Sequence, residues 1–543
     1  MADKRQMSWG DLDLRSVSSP EQLPEEFNFA AALVDRHVAE GNGSRMALRG
    51  PAGDLTYAEL YHMVNRVGHA MRAAGVERED RVLLLLRDSP EFIASFIAAM
   101  KIGAVAVALN TFTHPSDYEF YIRHSGARLL IAESEFLPPL EPFLWKYNLR
   151  GGIAVRGEAP KGPRPTWRFD EMVASQPAEL APVPTHRDEA SHWVYSSGST
   201  GEPKGTVHLH RNTIFAMEPY LRHVSQMTPS DISFSVARLF FSYGMANTMY
   251  MPLWVGASVV LLPDRPEPQP SLDLVEKYKV TLFYSVPTAY GRMLREALDL
   301  KKLATVRLCV SAGEALPAPI YEEWLQKTGL KILDGVGSTE FGYIFLSNRP
   351  SDVAPGSSGK MIPPHGGRLV NAEGNDAKDG EVGELRVSSP AVASFYWRNH
   401  AASKKTFIGE WLRTGDQYIR DEHGNLIYQG RTDDLFKSGG IWVSPIQVES
   451  TLLEHAAVAE ASVVAERDSE GLEKPVAYVV LRRGFEANEE LERDLRKFTK
   501  ERLAVYKCPK VFHFVADLPK TASGKIQRFK LRMQGAAETK ANP

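Results

Sequence analysis

Four serine and threonine hydroxyls, three glycines and a lysine crowd the eleven residues Tyr195-Ser196-Ser197-Gly198-Ser199-Thr200-Gly201-Glu202-Pro203-Lys204-Gly205. Glycine lets a backbone turn tightly and bring N–H groups to an anion, the hydroxyls add donors, and Lys204 adds a movable positive charge. The chemistry this composition offers is a phosphate clamp. The plain alternative is a solvent-exposed Ser/Gly linker. A Walker A loop is excluded, because that motif needs Gly-x4-Gly-Lys followed by Ser or Thr. Here Lys204 is followed by Gly205 and the glycine spacing also fails.

Three further stretches carry groups suited to nucleotide chemistry. Asp334-Gly335-Val336-Gly337-Ser338-Thr339-Glu340 ends a predicted strand with a glycine turn and a carboxylate. Strand ends of this kind are where open α/β sheets bind ligands, and Glu340 is an oxygen ligand suited to Mg2+. Thr414-Gly415-Asp416 puts a carboxylate on a turn, able to accept from a ribose hydroxyl, and Arg431 lies at a predicted domain boundary. Thr521-Ala522-Ser523-Gly524-Lys525, after Leu518-Pro519-Lys520, presents one lysine on a short loop of small residues that can reach a neighbouring cleft. Each of these alone is unspecific, and Lys525 alone reads as a surface lysine. Together, in this order, they are specific.

The elements that must position these groups follow from periodicity. At 543 residues the chain is too long for one ordinary core, so several lobes are expected. Leu60, Met63, Val64, Val67 and Met71 fall at helical spacing, and Val82 to Leu86 is an unbroken apolar run, as in a strand covered on both faces. Ser89-Pro90 opens a helix that Gly103 closes, and Val105 to Leu109 and Leu129 to Ala132 read as strands. The alternation predicts an α/β fold of stacked β-α units around a largely parallel sheet. Residues 134 to 190 are rich in proline and polar groups and read as surface connections. Val255 to Leu262 reads as a strand, Pro263 to Pro270 as a turn, and Val280 to Ser285 and Val306 to Ser311 as further strands. Gly380 to Arg431 has the short runs and close turn signals of a β-rich subdomain. Beyond Gly430-Arg431-Thr432-Asp433-Asp434, a helix from Ser444-Pro445, strands at Val458 to Ala465, Val476 to Leu481 and Val511 to Val515, and a charged helix at Asn488 to Leu503 make a small α+β domain.

Composition sets the outer limits. A hydrophobic share of 43% and a charged share of 24% fit a globular protein, and a net charge of -3 gives no bulk argument for nucleic acid or membrane. Cys309 and Cys508 are the only cysteines, so neither a disulfide framework nor a thiolate metal site is expected. Met1 to Gly10 is polar and lacks the apolar core of a signal peptide. The most apolar stretch, Phe92 to Leu109, is interrupted by Lys101 and Gly103 and falls short of the ~20 residues a span needs. A soluble cytoplasmic protein is expected.

With these motifs the chain resembles, over nearly its whole length, the adenylate-forming family of acyl-CoA ligases, luciferases and peptide-synthetase adenylation domains. Four motifs carry the resemblance: residues 195–205, Gly337-Ser338-Thr339-Glu340, Tyr428-Gln429-Gly430-Arg431-Thr432-Asp433-Asp434, and Pro519-Lys520 through Lys525. Ala237-Arg238-Leu239-Phe240-Phe241-Ser242-Tyr243-Gly244, Ser311-Ala312-Gly313-Glu314-Ala315-Leu316-Pro317 and Ile344-Phe345-Leu346-Ser347-Asn348 make it most similar to the benzoate-CoA ligase branch. The resemblance implies a large N-terminal domain, 1–432, holding ATP and acid, and a small mobile C-terminal domain, 433–543. It implies that a carboxylate, here benzoate or a substituted benzoate, attacks the α-phosphate of Mg-ATP, giving an acyl-adenylate and pyrophosphate. The thiol of coenzyme A then attacks the acyl carbon and AMP leaves.

The same resemblance distributes roles. Ser196, Ser197, Gly198, Ser199, Thr200, Gly201 and Lys204 hold the β- and γ-phosphates; Gly313, Glu314, Gly335, Gly337 and Ser338 surround the nucleotide. Asp334 faces the adenine amino group, Val336 stands where an aromatic ring often stacks on adenine, and Asp416 and Arg431 bind the ribose. Lys525 supplies the cation between carboxylate and α-phosphate, Thr339 touches that phosphate, and Glu340 holds Mg2+. Phe241, Ser242, Tyr243, Gly313, Tyr343 and Ile344 surround the acid; Asp433 is a hinge; and Lys437, Ser438, Gly439 and Gly440 approach the pantetheine arm of CoA. The partners implied are the acid, ATP and CoA, with no nucleic acid or membrane; a homodimer and a lysine acetyltransferase acting on Lys525 stay open. The chain departs from the benzoate branch where alanine is usual at Ser242, histidine at Tyr343 and a larger apolar residue at Gly342. Either the two added hydroxyls bond each other or the backbone, which leaves benzoate preferred, or they await a polar or non-planar acid. The alternatives to an aromatic acid-CoA ligase are a ligase for a cyclic or short aliphatic acid and an enzyme that loads a carrier-protein thiol. Retention of Lys525, Glu340 and Asp416 together argues against a nucleotide-binding regulator that has lost catalysis.

Overall fold

The computed structural model describes residues 17, 19–147, 149–196, 202–296, 298–432, 434–438, 441–467, 473–520 and 526–533. Two large sheets form the body. The first runs in the order Phe395–Tyr396, Lys204–Leu209, Ala190–Ser196, Val105–Ala108, Arg81–Leu85, Leu129–Glu133, Gly152–Arg156, Thr166–Arg168. Its strands are parallel from Ala190–Ser196 to Thr166–Arg168, with an antiparallel hairpin at the other edge. The second sheet has nine strands with a parallel centre: Ile332–Gly337, Leu308–Ser311, Leu282–Ser285, Ile232–Ser235, Ser258–Val260 and Met46–Arg49. Both are the β-α arrangement expected from the sequence.

One apolar core joins the two sheets. The helix Pro90–Lys101 lies in it with nearly every side chain buried, which is why its sequence shows no polar face. Ser89 caps its N-terminus by accepting from the Phe92 N–H, and Pro90 fills a position whose N–H has no helical partner. A third, antiparallel sheet holds Gly366–Val370, Gly383–Ser388, Trp411–Arg420, Phe407–Ile408 and Leu426–Arg431, the β-rich lobe expected there. From Phe436 onward two separate apolar clusters form around the sheet of Val458–Arg467, Glu473–Leu481 and Val511–Phe514, and neither takes in a residue from before Phe436. Across the joint, Arg295 Nη2 pairs with Glu460 Oε1 at 3.1 Å, while Lys520 Nζ reaches the other oxygen of Glu460 at 2.7 Å.

Three sequence expectations are corrected. Residues 134 to 190 are not merely surface connections: Gly152–Arg156 and Thr166–Arg168 extend the first sheet, and Phe143, Leu144, Leu149, Ile153 and Phe169 are buried. Prolines there punctuate short buried elements rather than excluding them. Val255 to Leu262 is not one strand, because Gly256 caps the helix Met251–Val255 at φ +80° and the strand is only Ser258–Val260. The turn after Pro263 is shorter than expected, since Pro268 opens the helix Pro268–Tyr278.

The lysine that interrupts the apolar run is fully buried. Lys101 Nζ lies 2.6 Å from Asp35 Oδ1, donates to Asn65 Oδ1 at 2.5 Å, and sits 4.7 Å from the centre of the Tyr61 ring. Burial pulls its pKa down and pushes that of Asp35 up, so the pair persists by mutual compensation. Asp35→Ala should lower the thermal midpoint of the full chain in calorimetry, one uncompensated buried charge costing about 3–5 kcal/mol. Asp35→Leu combined with Lys101→Met should recover most of that loss. An unchanged midpoint in Asp35→Ala would show that Lys101 needs no counter-charge.

Candidate active site

The strands Leu308–Ser311 and Ile332–Gly337 run side by side with Ser311 opposite Asp334, and their carboxyl ends open onto the site. Asp334 is buried; the Leu316 N–H reaches Oδ2 at 3.4 Å, and Oδ1 has no hydrogen-bond partner among the described residues. Burial raises its pKa well above the usual carboxylate range. A buried acceptor of this kind fits a donor such as an exocyclic amine. Val336, beside it, is half-buried and packs on the main core.

After Gly337 the chain folds back antiparallel, pairing Gly337 with Ile344. A Cβ on Gly337 would lie 2.1 Å from the Tyr343 carbonyl oxygen, so only glycine permits this approach. The intervening turn is fixed from three sides. Within it, the Gly342 N–H donates to the Ser338 carbonyl at 2.9 Å. From the strand Lys204–Leu209, His208 Nε2–H donates to the Thr339 carbonyl at 2.8 Å, and the Ala393 N–H donates to the Glu340 carbonyl at 2.7 Å. The Tyr396 hydroxyl donates to Glu340 Oε1 at 2.7 Å, and Lys204 Nζ lies 5.2 Å from the centre of the Tyr396 ring. A carboxylate and an ammonium group thus flank one tyrosine.

His208 stacks on His192 with ring centres 5.0 Å apart, and burial lowers its pKa to about 4. It stays neutral near pH 7 and serves as a donor with one fixed tautomer. Sequence reading missed His208 and Tyr396. The signal for His208 was alternation: it points to the same side of its strand as Thr206 and Lys204.

Asp416 and Arg431 are cross-strand partners, 3.1 Å apart, and the Tyr428 hydroxyl reaches Asp416 Oδ1 at 3.5 Å. Asp416 is the main cause that holds the Arg431 pKa above its ordinary value. The two residues expected to bind the ribose are therefore one ion-paired unit.

The expected acid-site residues also meet. The Tyr243 and Tyr343 rings lie parallel at 6.2 Å, and Phe241 packs against the same core. The Tyr243 hydroxyl donates to the carbonyls of Ser285 (3.2 Å) and Val310 (3.4 Å). Gly313, at φ +95°, leaves this end of the strands open, since a Cβ would meet only Val286 Cγ1 at 3.9 Å. Ile344 is buried against Gly335. Two residues missed by sequence reading complete the wall: Tyr220, edge-on to Tyr343 at 4.9 Å, and Asn247, one helical turn after Tyr243. Ser242 and Tyr343 do not bond each other: the Tyr343 hydroxyl donates to Asn247 Oδ1 at 2.6 Å, and Ser242 Oγ is buried without a hydrogen-bond partner among the described residues.

Ser196 ends the strand Ala190–Ser196 opposite Lys204, Glu314 follows Gly313, and Ser438 is buried in the strand Phe436–Ser438, which also holds Lys437. Ser197, Gly198, Ser199, Thr200, Gly201, Asp433, Gly439, Gly440 and Lys525 lie outside the described residues.

Residues 35–397 match the family of AMP-binding enzymes, and residues 447–525 match the AMP-binding enzyme C-terminal domain. The chain is 42% identical to benzoate–CoA ligase of Thauera aromatica over 515 residues, covering 94% of this chain and 97% of that one. It is 41% identical to 4-hydroxybenzoate–CoA/benzoate–CoA ligase of Rhodopseudomonas palustris, over 93% and 94% of the two chains. Among solved structures, the anthranilate CoA ligase AuaEII in complex with anthranoyl-AMP superposes with a TM-score of 0.90 at 38% identity, over 96% and 99% of the two chains. A benzoate CoA ligase from Burkholderia xenovorans gives 0.86 at 39%, over 93% and 100%.

The bond from His208 to Thr339 yields a direct test. His208→Phe removes the donor and lets the 338–342 turn shift, and a displacement of about 1 Å can cost ~100-fold in rate. Pyrophosphate release should slow by about 10- to 100-fold, with the pH profile between 6 and 8 unchanged because the imidazole does not titrate there. A lost ionisation in that range would show instead that His208 moves a proton.

Proposed function

The chain belongs to the family of AMP-binding enzymes, and on that premise we propose that it is an ATP-dependent ligase joining an aromatic carboxylic acid to coenzyme A. One carboxylate oxygen of the acid attacks the α-phosphorus of ATP, and the bond to the bridging oxygen breaks with loss of pyrophosphate. The thiol sulfur of coenzyme A then attacks the acyl carbon, AMP departs, and the thiol proton passes to solvent. The observation that carries this reading is the turn 338–342. It joins the carboxylate of Glu340 to the buried ring of Tyr343 within four residues, so a phosphate site and an aromatic pocket share one backbone.

Each group has a task in that reaction. Asp334 Oδ1 accepts from the adenine amino group, and the paired Asp416 and Arg431 take the ribose hydroxyls. Lys204, with the hydroxyl-rich loop before it, holds the outer phosphates, and Thr339 contacts the α-phosphate. Glu340 would hold Mg2+ together with phosphate oxygens. Among the described residues no cluster of three or more His, Cys, Asp or Glu exists, and Mg2+ is at home with one or two carboxylates plus phosphates. When bound, the ion neutralises charge on the departing pyrophosphate. The aromatic walls Phe241, Tyr243, Tyr220 and Tyr343 hold the ring of the acid and exclude water from the adenylate. Among the described residues no helix is long and apolar enough to cross a membrane.

Lys525 supplies the cation that stabilises charge between carboxylate and α-phosphate. Lys525→Ala should slow ATP–pyrophosphate exchange by about 10²–10³-fold, yet spare thioester formation from supplied aroyl-adenylate. Equal loss in both half-reactions would remove Lys525 from this role. Acetylation would cancel the same charge, so a lysine acetyltransferase is a fitting regulator.

Asp433 is the pivot about which the C-terminal domain turns to bring residues 437–440 to the CoA arm. Asp433→Pro fixes φ near -65° and should leave pyrophosphate exchange intact while blocking CoA-dependent AMP release. A normal overall rate would show that the pivot lies elsewhere. The ligase reading itself is tested by AMP release with benzoates and ATP. Free CoA should drive it, and release only in the presence of a carrier protein would reassign the thiol.

A further inference from the structure

Resting on the aromatic acid-ligase reading, we propose that the preferred acid is a hydroxybenzoate and that Asn247 is the residue that selects it. Asn247 is fully buried and held at two points: its backbone carbonyl accepts from Ser233 Oγ at 2.8 Å, and Oδ1 accepts from the Tyr343 hydroxyl at 2.6 Å. The second bond fixes the amide and leaves Nδ2 as a buried donor with no hydrogen-bond partner among the described residues. Asn247 lies four residues after Tyr243, so the two side chains share a helix face, and Tyr343 stacks on that same tyrosine. The amide N–H therefore lies directly behind the tyrosine wall of the acid site, beside Tyr243. Ser242 Oγ, on the same helical segment, is a second buried polar atom without a hydrogen-bond partner among the described residues.

The backbone supports a functional rather than a packing role. The helix changes from α to π over Ala246–Tyr250, directly at Asn247, and such turns recur at functional sites. The occupant must bring an acceptor into an otherwise apolar, tyrosine-lined pocket. A phenolic oxygen accepts from the amide N–H and can donate its own proton onward. An aryl amine, with its lone pair drawn into the ring, accepts poorly, and plain benzoate brings no acceptor. A site built to bond a substrate hydroxyl discriminates strongly against the analogue lacking it.

The experiment compares kcat/KM for benzoate, the three hydroxybenzoates and the three aminobenzoates, read as pyrophosphate release with ATP and CoA. It uses the parent enzyme and the variants Asn247→Asp, Asn247→Leu and Ser242→Ala. Asn247→Asp keeps the shape and the acceptor for Tyr343 while replacing the N–H donor, so it carries the test if Asn247→Leu does not fold. In the parent, one hydroxybenzoate isomer should exceed benzoate and every aminobenzoate by at least ~10-fold. In Asn247→Asp the ratio of that isomer to benzoate should fall by a similar factor, with a smaller fall in Ser242→Ala. Benzoate or an aminobenzoate equal to or better than every hydroxybenzoate in the parent would overturn the inference. A ratio unchanged in Asn247→Asp would overturn it as well. No release with any aryl acid would instead overturn the underlying ligase reading, and this inference with it.

Discussion

The fit of Gly337 against the Tyr343 carbonyl is the constraint on which the site depends. A single methyl group at position 337 would overlap that oxygen, so the strand Ile332–Gly337 could not fold back on Ile344–Ser347. Without that fold, Thr339 and Glu340 would lose the bonds from His208, Ala393 and Tyr396, and Tyr343 would leave its stack on Tyr243. In the proposed reaction, two binding problems of opposite character, one polyanionic and one aromatic, meet on either side of one turn. The distance between them is set by backbone geometry rather than by flexible side chains, which suits a reaction whose barrier falls mainly through positioning.

The residues expected to hold the nucleotide stand out in the chain because they are punctuation. Glycines beside hydroxyls, a carboxylate on a turn and a lysine between small residues look unlike any core segment. Their order along the chain supplied what each lacked alone. Asp416 and Arg431 were both identified, yet only the register of two antiparallel strands reveals that they form one ion pair. The fold class was legible for a similar reason, since buried parallel strands such as Arg81–Leu85 are unbroken apolar runs. Residues 134 to 190 were misread because short edge strands such as Thr166–Arg168 have too few residues to show a period.

The acid pocket was less legible. Ser242 and Tyr343 stood out as unusual residues, but their bonding could not be deduced, because the partner of Tyr343 lies 96 residues away. Asn247 and Tyr220 carry no local signal at all; each is a polar residue inside an apolar helix. Their roles come from burial, which makes every donor and acceptor count. Burial likewise governs Asp334 and His208, pushing the pKa of the first up and that of the second down. The proposed site thus carries few charges: the exposed ion pair of Asp416 and Arg431, Lys204 and Glu340 on either side of Tyr396, and neutral hydroxyls around Tyr343.

Glu460 has a consequence for the proposed turning of the C-terminal part of the chain. Its carboxylate faces Arg295 on one side of the joint and Lys520, from its own side, on the other. When Arg295 withdraws, the carboxylate keeps its second cation, so separation strands no charge. What Arg295 gives up is one partly exposed ion pair, worth about 0.2–1 kcal/mol, and a long 3.5 Å hydrogen bond to the Ala459 carbonyl. The contact can therefore define a resting position without acting as a brake, and dissolved salt competes with it directly.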